Sequence, residues 1–185
     1  MRNVITNVIL DLDETLISSI EKYELKKDPD MKKKFAEKTT EFKVYSMSND
    51  FFVTERPRVQ EFLDFLFDHF NVSVWTAASK EYANFVIKKV VLQNPTRQLD
   101  YIMYSKHCTS SEKKTGCLKN LEQFFHLPTY TKNNTIMIDD NLNVFENQSN
   151  RVIRLKAFNV LHDNSSSDQT LLAVRKELEK MMKKI

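Results

Sequence analysis

The segment Val8-Ile9-Leu10-Asp11-Leu12-Asp13-Glu14-Thr15-Leu16 passes abruptly from apolar to acidic. Val4, Ile5, Val8, Ile9 and Leu10 read as a buried strand of a parallel sheet, which is apolar on both faces. Acids directly after such a strand fall where open α/β sheets bind ligands, outside the strand's carboxyl end. Two further apolar runs end in the same way. Val72-Ser73-Val74-Trp75 stops at Thr76, and residues 134–138 stop at Asp139-Asp140. Three strands that end in reactive side chains point to one shared site at one edge of a parallel sheet.

Asp11 and Asp13 repel each other when both are ionised, and a divalent cation relieves that repulsion and keeps a carboxylate deprotonated. Magnesium suits such a place, because it takes one or two carboxylates and fills its shell with waters and phosphate oxygens. Asp11 is then a candidate nucleophile toward phosphorus, forming an aspartyl phosphate that splits one hard step into two. Asp13 would protonate the departing oxygen and later take a proton from the attacking water. Thr76 could hydrogen-bond a phosphoryl oxygen, and Ala77 and Ala78 leave room for a ligand to approach. A phosphoryl group in transfer also calls for a fixed cation. Lysine is too common in this chain for composition to choose between Lys113, Lys114 and Lys119.

Further motifs narrow the reading. Asp11-Leu-Asp-Glu-Thr-Leu16 is followed by Arg56-Pro-Arg-Val-Gln-Glu-Phe-Leu63, then by Trp75-Thr-Ala-Ala-Ser-Lys-Glu-Tyr-Ala83 and Ile138-Asp-Asp-Asn141. The first motif resembles the D-x-D-x-T loop of haloacid-dehalogenase superfamily phosphatases. The ordered series resembles the FCP/SCP-like phosphatases that act on the C-terminal domain of RNA polymerase II, the NLI-interacting-factor-like family. The resemblance implies a Rossmann-like parallel sheet flanked by helices, with a small β-hairpin insert after the first strand. It implies Asp11, Asp13, Thr76 and Lys119 as catalytic residues, and Asp11, Leu12, Asp13, Thr15, Thr76, Ala77 and Lys119 as the phosphate cradle. Lys119 is chosen by alignment of Gly116-Cys117-Leu118-Lys119-Asn120-Leu121. Magnesium would be held by Asp11, the backbone carbonyl of Asp13, and Asp140. Asp139, Asn141 and Arg56 would support the site, Asp139 by orienting Lys119 or metal waters. The match departs at Ser105-Lys106-His107-Cys108, where relatives carry an arginine that Lys106 would replace. A tryptophan common near the chain's end is replaced by Phe158.

A chain of 185 residues fits one domain, here 1–185, with an insert at about 17–55. The hydrophobic fraction of 41% and the charged fraction of 29% are ordinary for a globular protein. No apolar run approaches the ~20 residues of a membrane span, and Asp11 and Asp13 interrupt any signal-peptide core. Gly116 is the only glycine, which excludes a glycine-rich nucleotide loop. Cys108 and Cys117 lack metal-ligand spacing and read as free thiols in a reducing compartment. A net charge of +3 is too weak to argue for nucleic acid, and the run Lys32-Lys33-Lys34 reads as a solvated face. The resemblance implies a phosphorylated protein or peptide as the partner, and the expectation is an intracellular monomer in nucleus or cytoplasm. The abundance of Lys, Asn and Ile suggests an AT-rich genome such as that of a protist or a large DNA virus.

Within residues 16–55 the sequence predicts a charged loop, a short helix and a hairpin formed by residues 42–45 and 50–54. Phe42, Val44, Phe51 and Phe52 could line an apolar groove for a proline-containing peptide. Pro57 opens a helix with Val59, Phe62, Leu63, Leu66 and Phe70 inward. Ser79 caps the next helix, which turns Tyr82 to the core. A helix is expected over 117–125, and Asp168 caps the last one. Two other readings stay open: the same fold acting on a small molecule or a nucleic-acid 3′-phosphate, and a catalytically silent scaffold.

Overall fold

The computed structural model of this protein describes residues 5–110 and 117–183. Val4, Lys113, Lys114 and Gly116, named in the sequence reading, lie outside them. The chain forms β1 (Asn7–Leu10), β2 (Ile17–Glu21), α1 (Lys22–Lys27), α2 (Pro29–Lys38), β3 (Val44–Met47), β4 (Phe51–Glu55), α3 (Val59–His69), β5 (Asn71–Trp75), α4 (Lys80–Val86) and β6 (Ile102–Met103). There follow β7 (Thr109–Ser110), β8 (Cys117–Leu118), β9 (Thr135–Asp139), α5 (Leu142–Asn147), β10 (Val152–Arg154) and α6 (Thr170–Lys183).

The main sheet is parallel, in the order β10-β9-β1-β5-β6. Its strands are apolar on both sides because both sides are covered. Val8, Leu10, Val72, Val74, Ile136 and Ile138 pack on one face against Val59, Phe62, Leu63 and Leu66 of α3, Tyr82, Ala83 and Val86 of α4, and Leu171, Val174 and Leu178 of α6. Ile9, Trp75, Met137 and Val152 pack on the other with Leu121, Phe124, Tyr130 and Val144. The chain runs outward from β1 through β5 to β6, then crosses back to β9 on the opposite side. The order of strands therefore reverses between β1 and β9, and ligands bind at such a switch point. No helix among the described residues is long and apolar enough to cross a membrane.

The insert is larger than the hairpin predicted from sequence. β3 and β4 form that hairpin, and β2 adds a third antiparallel strand along β4. Alternation along β4 then separates two phenylalanines that the sequence reading had grouped. Phe42, Val44 and Phe52 join Ile20, Leu25, Phe35, Phe158 and Val160 in the insert's own apolar cluster, with the Phe35 and Phe52 rings 5.3 Å apart. Phe51 joins the main core instead and meets Tyr82. The four residues therefore line no common groove. Lys32, Lys33 and Lys34 lie exposed on α2, as a solvated face.

Three further expectations are corrected. Residues 117–125 are not one helix: β8 pairs with β7, and a 3₁₀ turn follows over Leu121–Gln123. Cys108 is disulfide-bonded, not a free thiol. Helix α3 starts at Val59, so Pro57 sits in the turn before it, and Arg58 takes the left-handed conformation at φ 65°.

Arg56 fastens these parts together. It is 1% exposed, and its Nε and Nη2 each donate to one oxygen of Asp168 at 3.0 Å. Its Nη1 donates to the carbonyls of Glu14 at 3.2 Å and Thr15 at 3.0 Å, and Nη2 donates to that of Lys156 at 2.8 Å. The guanidinium also lies 5.4 Å from the Phe158 ring centroid. Desolvation pushes the Asp168 carboxyl up, but the Arg56 fork and the Thr170 backbone N–H outweigh it and hold the group below its ordinary range. Arg56→Met leaves a half-buried carboxylate unpaired, and should lower unfolding free energy by about 3 kcal/mol or more in urea denaturation. A group with a depressed folded pKa stabilises above its unfolded pKa. The advantage of the native chain over Asp168→Asn should therefore be full near neutrality and shrink once pH falls below about 4. An advantage independent of pH would show that the ion pair does not carry it.

Candidate active site

Register builds the site. Leu10 lies opposite Val74 on one side and Ile138 on the other. Asp11 is thus level with Trp75 and Asp139, and its N–H still donates to the Ile138 carbonyl at 3.0 Å. One residue further on stand Thr76 and Asp140. These side chains, with Asp13, Glu14, Ala77, Asn141 and Lys119, line a cavity of about 270 Å³. Lys119 arrives from the crossover between β6 and β9, just after β8. The side chain of Gln148 fixes that segment: it donates to the Lys119 carbonyl at 2.7 Å and accepts from the Leu121 N–H at 2.8 Å.

The charges are tightly placed. Lys119 Nζ donates to Asp11 Oδ1, and to Asp139 Oδ2 at 2.8 Å. All three residues are buried. Asp139 spends its other oxygen on the Asn141 N–H at 2.8 Å, so both of its oxygens are engaged within the protein. Thr15 Oγ1 donates to Asp140 Oδ1 at 3.3 Å. Burial opposes the Lys119 charge, yet Asp11 and Asp139 more than compensate and raise its pKa. Burial pushes the Asp11 carboxyl up to about 8 despite Lys119, and it pushes Asp140 up to about 6, helped by the charge of Asp139. Asp13 is also raised, again chiefly by burial. The group carries more carboxylates than one lysine can neutralise. Asp11, Asp139 and Asp140 each offer an oxygen within 4.8 Å of the others, a hard donor set of the kind that suits a divalent cation.

Most residues predicted from sequence thus meet in one place. Thr76 is 1% exposed, and its hydroxyl oxygen accepts the Ala78 N–H at 3.0 Å, which leaves the hydroxyl proton for a ligand. Leu12 contributes structure: its side chain is buried, and its carbonyl closes the loop by accepting from the N–H groups of Leu16 at 2.8 Å and Ile17 at 3.2 Å. Arg56 lies behind the loop rather than in the cavity. Lys106 is exposed, with its ammonium 5.1 Å from the Tyr104 ring centroid, and is not among the residues lining the cavity. Sequence reasoning missed Gln148, which carries no local signal. It also missed Ser19 and took Tyr82 for core only; the Tyr82 hydroxyl donates to Asp13 Oδ1 at 2.5 Å and that of Ser19 donates to the same oxygen at 3.3 Å.

Comparison with known proteins fits this geometry. The chain is 35% identical over 181 residues to the CTD phosphatase-like protein 355R of Invertebrate iridescent virus 6, covering 94% of this chain and 97% of that one. Its counterpart in Invertebrate iridescent virus 3 is 37% identical over 179 residues, covering 93% and 94%. Among solved structures, the fission yeast RNA polymerase II CTD phosphatase Fcp1 bound to beryllium fluoride superposes with a TM-score of 0.58 at 20% identity, which supports the haloacid-dehalogenase-like fold. That alignment covers 97% of this chain and 51% of Fcp1, so the chain spans about half the length of that structure. The model of the NLI interacting factor-like phosphatases matches residues 6–185, and the chain belongs to that family.

Proposed function

We propose that this protein is a Mg²⁺-dependent phosphatase that hydrolyses phosphoserine or phosphothreonine in proteins, in segments like the C-terminal domain of RNA polymerase II. The observation that carries the reading is the group of buried Asp11, Asp139 and Lys119 with half-buried Asp140 at the switch point of the sheet. The names of the two viral relatives favour a polymerase-tail substrate, and their origin favours a virus-encoded enzyme.

Asp11, Asp140 and the Asp13 carbonyl would hold magnesium, which neutralises the carboxylates and the phosphate oxygens when bound. Asp139 is the weaker candidate ligand, since Lys119 and Asn141 already use its oxygens. Asp11 attacks phosphorus from the floor of the cavity and takes up the phosphoryl group as an aspartyl phosphate. Lys119 and the Thr76 hydroxyl bind the phosphoryl oxygens, whose charge spreads during transfer. Asp13, whose carboxyl burial pushes above its ordinary range, acts as the acid and donates to the departing serine or threonine oxygen. As a carboxylate it then takes the proton of the water that hydrolyses the acyl phosphate, which restores Asp11.

p-Nitrophenyl phosphate tests the chemistry. Turnover should require Mg²⁺, stop with chelator and return with excess metal. Asp11→Asn should be inactive though folded, and chelator-resistant turnover, or activity in that variant, would exclude the mechanism. Lys119→Met should lower kcat by about 10²- to 10³-fold, the usual effect of removing one transition-state donor. Phosphopeptide panels test the substrate class: hydrolysis of the small ester alone, with no phosphoserine or phosphothreonine peptide turned over, would overturn the protein-phosphatase assignment.

A further inference from the structure

We propose that Tyr82, assisted by Ser19, is the positioning residue for Asp13, fixing which oxygen of the general acid carries the transferable proton. The proposal rests on the phosphatase reading above and adds to it a role for α4 and for the insert.

Asp13 Oδ1 accepts two hydroxyl protons, from Tyr82 at 2.5 Å and from Ser19 at 3.3 Å. A carboxyl oxygen whose lone pairs are both engaged by donors is a poor place for a third proton. The acidic proton of Asp13 is thereby directed to Oδ2, the oxygen that neither hydroxyl engages, on a residue that lines the cavity. An untethered carboxyl would divide its proton between two oxygens and rotate between them. Only part of that population has the alignment that proton transfer needs.

The tether is itself well held. Tyr82 is 7% exposed, and its backbone N–H donates to the Ser79 hydroxyl at 3.3 Å, the cap that starts α4. The Phe51 ring, from β4, meets it edge-on at 5.2 Å and 73°, a favoured aromatic arrangement. Ser19 comes from the middle of β2. The clamp on Asp13 is therefore assembled from α4 on one side and from two strands of the insert on the other. Tyr82 is not among the residues lining the cavity, so its effect passes through Asp13 and not through the phosphate.

In the step concerned, a bond forms between Asp11 and phosphorus as the bond from phosphorus to the leaving oxygen breaks. The electron pair of the broken bond stays on that oxygen, which receives the Asp13 proton. An ester of a strongly acidic phenol leaves without that proton, whereas an ester of a weakly acidic one needs it.

The experiment compares kcat/KM for phenyl phosphate and for 2,4-dinitrophenyl phosphate, in Mg²⁺, for the native chain, Tyr82→Phe, Ser19→Ala and Asp13→Asn. This parameter reports the steps through phosphoryl transfer to Asp11 and excludes the later hydrolysis. Tyr82→Phe keeps the ring and its contact with Phe51, removing only the donor. It should reduce the ratio of phenyl to dinitrophenyl kcat/KM about tenfold or more, a part of the ~10²- to 10⁴-fold that general-acid catalysis supplies in all. Ser19→Ala should shift the ratio in the same direction by less, and Asp13→Asn by more. An unchanged ratio in Tyr82→Phe, while Asp13→Asn changes it, overturns the positioning role and leaves the phosphatase reading intact. A native chain that hydrolyses neither ester, or an Asp13→Asn variant with an unchanged ratio, overturns the reading beneath and the proposal with it.

Discussion

A lysine ammonium buried between two carboxylates governs this site. Lys119 touches Asp11 and Asp139, and Asp140 lies beside them. Three carboxylates against one ammonium leave an excess of two negative charges, in a place where burial already resists ionisation. Burial, with the charge of Asp139 added to it, raises Asp11 to about 8 despite Lys119 and raises Asp140 to about 6. A divalent cation would cancel the excess fully. The same imbalance that would destabilise the fold makes the three carboxylates a donor set that suits a divalent cation.

That arrangement is a product of strand register. Parallel pairing of β1 with β9 puts Asp11 level with Asp139, and pairing of β1 with β5 brings Thr76 to the same rim. A slip of one residue would send Asp11 or Asp139 to the opposite face, so the hydrophobic alternation that fixes register also fixes the chemistry. Lys119 has no such support from the sheet, because it sits on an irregular crossover. Gln148 supplies it by bonding the Lys119 carbonyl and the Leu121 N–H.

This division explains what the sequence discloses. The strands and their terminal acids are legible, since an apolar run that stops in acids has few other meanings. Lys119 is legible only through the family resemblance, because one lysine among many carries no periodic signal. Tyr82 shows its helical phase but not its hydroxyl's target, 69 positions away in the chain. β2 escapes notice because Ser18 and Ser19 break its apolar pattern, and those polar positions are there for a reason: Ser19 reaches Asp13, and Ser18 accepts the Val160 N–H at 3.2 Å. The grouping of Phe51 with Phe52 failed on the same arithmetic of two, since adjacent strand residues face apart.

The turn at Glu14 binds these threads. Its φ of 58° is left-handed, a conformation that costs a residue with a Cβ roughly 1–2 kcal/mol. Glycine would adopt it freely, yet this chain has one glycine and places it elsewhere. The strain persists because the Glu14 carbonyl is held by Arg56 Nη1 at 3.2 Å and by the Phe158 N–H at 2.7 Å. With the turn held, the Leu12 carbonyl can close the loop and the Thr15 hydroxyl can reach Asp140. Arg56 in turn is oriented by Asp168, at the start of the last helix. The geometry of the loop after β1 and the docking of the C-terminal segment are therefore maintained by the same guanidinium. Any change that loosens α6 from Arg56 acts on the loop bearing Asp11 and Asp13, even though it touches no residue in the cavity.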